Sequence, residues 1–256
     1  MNGRAIRAIV RKDLKVVSQS RPAVLPLIIV PLIMLALFPA LVAWVPRLGG
    51  SQYSPMQGLD AFMSNLPDAL RREVAGLTPD QQMVHLALLY FLAPFFLIVP
   101  LMVASVIAAD SFAGEKERKT LEALLYTPTT DRELIVAKLL SAWLPAVAIS
   151  LLGFLVYGTV ANVAAWPIMG RFFFPNVAWL ALVLWVAPAA AGLGLGLTVV
   201  VSSRVQTFQE AYQMGGLVVL PIIALVAGQA TGVMYFGLGL VLLLGLVLWL
   251  LDVALL

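Results

Sequence analysis

The sequence predicts an all-α polytopic membrane protein with six transmembrane helices, and three observations lead there. Hydrophobic residues make up 62% of the 256 and charged residues 11%, against roughly 45–50% and 25% in soluble globular domains. The sixteen Lys/Arg, thirteen Asp/Glu and single His are bunched rather than spread. Between the bunches lie uncharged runs that reach or exceed the roughly 20 residues needed to cross a hydrocarbon core of about 30 Å. A water-soluble body is excluded, because there is too little polar surface to cover it.

The first 21 residues read as an amphipathic helix lying in the interface. Ile6, Val10, Leu14 and Val17 recur at helical spacing, while Arg7, Arg11 and Lys15 fall on another face. Such an elbow helix either anchors topology against anionic membrane lipid or also touches a partner at the membrane surface. Span 1 follows at 22–46. It is too long for the apolar core of a cleaved signal peptide and contains no small-residue cleavage site, so it stays in the chain.

Residues 47–85 form a polar loop that either caps the bundle or serves no role in transport. Gln57 to Ala75 is compatible with a helix interrupted by Pro67, and Thr78-Pro79-Asp80 reads as a second helix start. Span 2 is placed at 86–109, span 3 at 139–161 and span 4 at 176–201. The forty-one uncharged residues between Glu210 and Asp252 are twice one span in length. They divide around Gly228-Gln229-Ala230-Thr231-Gly232 into span 5 at 211–228 and span 6 at 233–251. Prolines inside the spans predict kinked helices, tolerated where neighbours satisfy the freed carbonyls.

Placing both termini in the cytoplasm puts twelve Lys/Arg inside and four outside, the asymmetry expected of a multi-pass protein of the cell membrane. The C-terminal end, Asp252-Val253-Ala254-Leu255-Leu256, carries no basic anchor and is the weak point of this orientation. The net charge of +3 is accounted for by topology, which removes nucleic acid as a partner.

Segment 110–138 holds eleven of the twenty-nine charged side chains. After Gly114 the charges crowd one turn, then Leu121, Leu124 and Leu125 form a short apolar stripe. The pattern predicts a helix about three turns long, closed by Pro128, projecting from the membrane. Thr130 and Glu133 have capping-box spacing and start the next helix. On charge pattern alone a solvated cytoplasmic loop is the commoner reading of such a segment. Ser202 to Glu210 reads as a tight connection on the same side.

The same segment resembles the permease subunits of type 2 ABC transporters, exporter-like. The residues that carry the resemblance are Asp110, Gly114, the run Glu115-Lys116-Glu117-Arg118-Lys119-Thr120-Leu121-Glu122, Thr127-Pro128, Glu133-Leu134 and Lys138. The family often has Gly where Lys119 stands. A weaker likeness is Ser202-Ser203-Arg204 with Phe208-Gln209-Glu210-Ala211 and Gly215-Gly216 before Pro221. The resemblance implies that the first cytoplasmic loop is a coupling helix docking into a separate ABC ATPase subunit. Glu115, Lys116, Glu117, Arg118, Thr120, Leu121, Glu122, Leu124 and Leu125 would make that contact. It further implies pairing with a second permease copy or a homologous permease, with ATP and Mg held on the ATPase.

No cofactor is expected on this chain. It contains no Gly-x-x-x-x-Gly-Lys-Ser/Thr, and Gly192-x-Gly194-x-Gly196 lies inside an apolar span, where it suits close helix packing rather than phosphate binding. The absence of Cys removes disulfides, thiolate metal sites and cysteine nucleophiles. His85 reads as an interface residue, and Glu115 and Glu117, two apart, point to different helix faces. The spans read as free of Asp, Glu, Lys and Arg, which argues against a secondary transporter. A membrane scaffold that anchors a partner and moves nothing is the other alternative. Trp143, Trp166, Trp179, Trp185, Tyr157 and Tyr212 either line a path for amphiphilic cargo or sit in interfacial belts.

Overall fold

Length and apolarity dictate helices, since a backbone in lipid must satisfy its hydrogen bonds within its own segment. A computed structural model describes residues 3–48, 67–120, 130–230 and 236–255; they are helical apart from short connections, with no strand among them. An interfacial helix α1 (Gly3–Gln19) precedes α2 (Ala23–Arg47), and a short α3 (Asp68–Val74) precedes α4 (Pro79–Glu117). Then come α5 (Asp131–Met169), α6 (Val177–Ser202), α7 (Phe208–Gln229) and α8 (Leu238–Leu255). Six of these, α2 and α4 to α8, are long and apolar enough to cross a membrane.

Two spans are longer than their uncharged centres. Helices α4 and α5 each contain 39 residues, about 58 Å at 1.5 Å per residue, and so continue past a 30 Å core at both ends. Their starts are fixed by caps. Thr78 Oγ1 accepts from Gln81 N at 3.4 Å while Gln81 Oε1 accepts from Thr78 N at 3.1 Å. Thr130 and Glu133 repeat the pattern at 3.3 and 3.2 Å. Helix α3 begins directly after Pro67; residues 57–66 of the expected helix lie outside the described residues.

Helix α4 is the axis of the bundle. About 78% of its apolar stretch is buried and 67% of that of α6, against 11–28% for the other four spans. Lipid tails are as apolar as a protein interior, so close packing and polar contacts have to hold such helices together. Gly194 supplies the first: a Cβ there would lie 2.5 Å from the Leu101 carbonyl oxygen of α4. Ser105 Oγ, also on α4, donates to Gly194 O at 3.1 Å across the same contact.

Polar clasps hold the end of α4 that begins at Pro79. Residues Ala87–Phe91 form a π-helical stretch just before Pro94, which has no N–H to return to the preceding turn. Three side chains from three other spans take the exposed carbonyls. Tyr157 Oη donates to Leu88 O at 2.6 Å, Trp179 Nε1 to Leu89 O at 2.7 Å, and Gln229 Nε2 to Tyr90 O at 3.1 Å. Tyr157 and Trp179 are buried and stack at 4.6 Å between ring centroids. These two are therefore neither a cargo lining nor an interfacial belt, whereas Trp166 and Trp185 remain exposed. His85 is also buried, with Nε2 3.0 Å from Glu73 Oε1, while Tyr90 Oη donates to Glu73 Oε2 at 2.7 Å.

Helix α1 turns most of its expected stripe inward: Val17 is buried, and Ile6 and Val10 pack with buried Ile9 against Leu134 and Ala137 of α5. Leu14 alone of that stripe is exposed, and Asp13 is buried beside it.

Candidate functional site

The chemistry-bearing side chains converge at the end of the bundle that carries α1, the last two turns of α4 and the first three turns of α5. There α4 passes through a second π-helical stretch, Asp110–Gly114, and continues to Glu117. The helix expected to begin after Gly114 is instead the end of α4. Residues 121–129 lie outside the described residues, so the stripe Leu121, Leu124, Leu125 and the neighbouring Glu122 are not placed.

Glu115 is 3% exposed and sits between two lysines from different helices. Lys138 Nζ of α5 donates to Glu115 Oε2 at 2.5 Å and to Ser111 O at 2.6 Å, and lies 5.3 Å from the centroid of the Phe112 ring. Lys12 Nζ of α1 hydrogen-bonds Glu115 Oε1 and lies 3.0 Å from Asp13 Oδ1. Asp13 Oδ2 accepts from Ser111 Oγ at 3.3 Å and Ser141 Oγ at 3.1 Å. Two carboxylates and two ammonium groups thus balance, as burial requires of charges. Burial alone would lower the Lys12 pKa, but the Glu115 hydrogen bond and the Asp13 charge outweigh it and hold the group above its ordinary value.

A second pair lies one turn away. Arg118 Nη1 and Nη2 reach Asp110 Oδ1 and Oδ2 at 3.0 and 3.4 Å. The fork passes directly over Gly114, where a Cβ would stand 3.0 Å from Asp110 Oδ1 and 3.2 Å from Arg118 Nη1. The spacing Asp-x-x-x-Gly-x-x-x-Arg thereby acquires a cause: the glycine leaves room for the ion pair. Lys116 Nζ then donates to Val205 O at 2.9 Å, and Glu117 Oε2 accepts from Phe208 N at 2.9 Å. Both contacts tie α4 to the connection between α6 and α7.

The last turn closes as a Schellman motif, with Thr120 N donating to Glu115 O at 3.0 Å and Lys119 N to Lys116 O at 3.1 Å. Its pivot is Lys119, at φ 55°. Left-handed backbone favours glycine there, which is the physical reason a glycine suits this position.

The site residues read from sequence therefore divide. Lys116 is half-buried, and Glu117, Arg118 and Thr120 are exposed at the bundle end. Glu115 is turned inward, and its side-chain contacts are to Lys12 of α1 and Lys138 of α5. Arg7, Arg11 and Lys15 are exposed on α1. Sequence reasoning missed Lys12, Asp13, Ser111 and Ser141. Asp13 carried a signal, since it lies four residues from both Ile9 and Val17 on one helical stripe.

The spans are also not free of ionisable groups. Asp252 is buried within α8 and packs against Gly192 of α6, because the last helix runs to Leu255 rather than ending at 251. Among the described residues no group of three or more His, Asp or Glu is placed to hold a metal ion.

Comparison with curated proteins and with solved structures returns no match to either. A family model described as ABC-2 family transporter protein matches residues 7–250, from the exposed basic face of α1 to the last turns of α8. With six apolar helices around one buried axis and a family match along nearly its whole length, the chain belongs to the ABC-2 transporter family as a membrane permease component.

Proposed function

We infer that the chain is the permease subunit of an ATP-driven exporter in the cell membrane, with both termini in the cytoplasm, and that a separate ABC ATPase subunit docks at the end bearing Glu117. The observation that carries the reading is the stitching of residues 110–118. Glu115 reaches α1 and α5, and Lys116 and Glu117 reach the connection between α6 and α7. A partner pushing on this turn acts on four elements together. Lys116, Glu117, Arg118 and Thr120 form the docking surface, continued by Leu121, Glu122, Leu124 and Leu125. Charges there fix register more than affinity, and the leucines supply apolar area.

Lys12, Asp13, Glu115 and Lys138 act behind that surface as positioning residues. ATP and Mg bind the ATPase, and a second permease copy or a homologous permease completes the path. Nucleotide binding shifts the spans between two arrangements only through a difference in docking affinity between them.

Co-expression with an ATPase encoded by an adjacent gene tests the reading. A copurifying complex that hydrolyses ATP is expected, and Glu117→Gln should weaken that association without changing insertion. ATP-dependent cargo accumulation in inverted vesicles separates an exporter from a scaffold that moves nothing. Failure to associate with the ATPase overturns the proposal.

A further inference from the structure

Helix α8 carries one ionisable side chain among its described residues, Asp252, and α6 fixes its depth. Trp185 Nε1 of α6 donates to Leu242 O of α8 at 3.3 Å, and the Trp185 ring fills the space beside Gly245. Seven residues further along both helices, the Asp252 carboxyl fills the space that a Cβ on Gly192 would take. The two helices therefore run parallel in register. Gly192 stands ten residues before Ser202 and fifteen after Val177. At 1.5 Å per residue the carboxyl is about 15 Å from the Ser202 end of α6, well inside the contact between the two spans.

There Asp252 is 5% exposed, and among the described residues neither carboxyl oxygen has a hydrogen-bond partner. Helix α6 is packed along α8, and it contains no Asp, Glu, Lys, Arg, His or Tyr from 177 to 202. Asp252 forms no ion pair among the described residues, and no other described residue of α8 is ionisable. An ionised, unpaired carboxylate buried in a span is expensive, and a lone carboxylate lacks the six or so oxygens a hard cation requires. A proton is the one ligand whose needs this site meets. Gly192 lets a neutral carboxyl lie against the α6 backbone.

We propose that Asp252 is an intramembrane proton-binding site, occupied while the α6–α8 contact is closed and emptied to water where that contact opens. Ionisation then favours separation of α6 from α8, and by linkage separation favours release of the proton. The site stands independently of ATPase docking.

A hydrophobic carbodiimide, which adds to protonated carboxyls in apolar surroundings, tests this on the full chain in lipid vesicles. Dicyclohexylcarbodiimide should leave an adduct on Asp252 at about pH 6, falling several-fold by about pH 9 and missing in Asp252→Asn. The thermal midpoint of Asp252→Asn, a neutral isostere, should match wild type at the lower pH and exceed it at the higher. No adduct on Asp252 at any pH in that range overturns the proposal, as does an adduct whose yield is the same throughout. Should Asp252→Asn fail to fold, the pH profile of wild-type labelling decides alone.

Discussion

Replacing Glu115 by Gln keeps the shape of the side chain and removes the charge that two lysines share. Lys138, 2% exposed, is then left with Ser111 O at 2.6 Å as its acceptor and no counter-ion within the pair. Removing one partner of a buried pair costs about 3–5 kcal/mol, which at roughly 2–4 °C per kcal/mol for a chain of this size lowers the midpoint by on the order of 10 °C. Lys138→Met alone is expected to cost less, because Glu115 keeps Lys12. In the double variant no unpaired charge is left at position 138, so its loss should fall well short of the sum of the two. The assay is thermal unfolding of the purified protein in one detergent, followed by the loss of the monodisperse peak. A Glu115→Gln midpoint within a couple of degrees of wild type, or strict additivity in the double variant, refutes the ion-pair reasoning. A loss of ATPase association at unchanged stability would return Glu115 to the docking surface.

Three further outcomes follow from single contacts. Lys119→Gly relieves a left-handed residue at φ 55° and should stabilise by about 1 kcal/mol, read as a midpoint rise in the same assay. Trp179→Phe keeps the stacked ring but loses the 2.7 Å bond to Leu89 O; a loss of about 1 kcal/mol is expected, with faster hydrogen exchange at the start of α4. The Lys12 pKa lies above its ordinary value of 10.5, so its contribution is complete below that pH and is lost as pH rises through the folded value. The stability gap between wild type and Lys12→Met should therefore hold constant from pH 6 to 9 and narrow only above about pH 10.5.

The spans were legible because the bilayer imposes length and apolarity at once, and the helix starts at Thr130 and Thr78 because a capping-box spacing and a proline at the first helical position are local signals; the Thr78–Gln81 box itself was missed. That Glu115 and Glu117, two apart, face different ways was legible; which of them turns inward was not. Glu115 is buried between Lys12 and Lys138, while Glu117 accepts from Phe208 N. A π-helical stretch at Asp110–Gly114 lies immediately before them, and it breaks the regular helical phase from which their faces would be counted. Asp13 was hidden by its setting in a basic helix, and its serine partners lie 98 and 128 residues away. Tyr157 and Trp179 looked like lining or belt because aromatic residues serve all these ends. The carbonyls they satisfy are freed by Pro94 and the irregular turn before it, which only the folded helix reveals.

The two ends of α4 are held by different physics, and the difference bears on how the bundle moves under the proposed function. One end is fastened by compensated charges that join α1 and α5 to it. Breaking such a contact exposes an unpaired charge, so this end should move as a unit with whatever docks on it. At the other end three neutral hydrogen bonds to backbone carbonyls reach α4 from α5, α6 and α7, each worth on the order of 0.6 kcal/mol in a membrane setting, beside the Glu73 contacts to His85 and Tyr90. Of the three, Gln229 belongs to α7, which is only 22% buried along its apolar stretch. The Gln229 side chain donates to Tyr90 O at 3.1 Å. A displacement entering at Lys116 and Glu117 therefore meets firm attachment at α1 and α5 and weaker attachment at α7. Relative motion should appear first between α7 and the Pro79 end of α4.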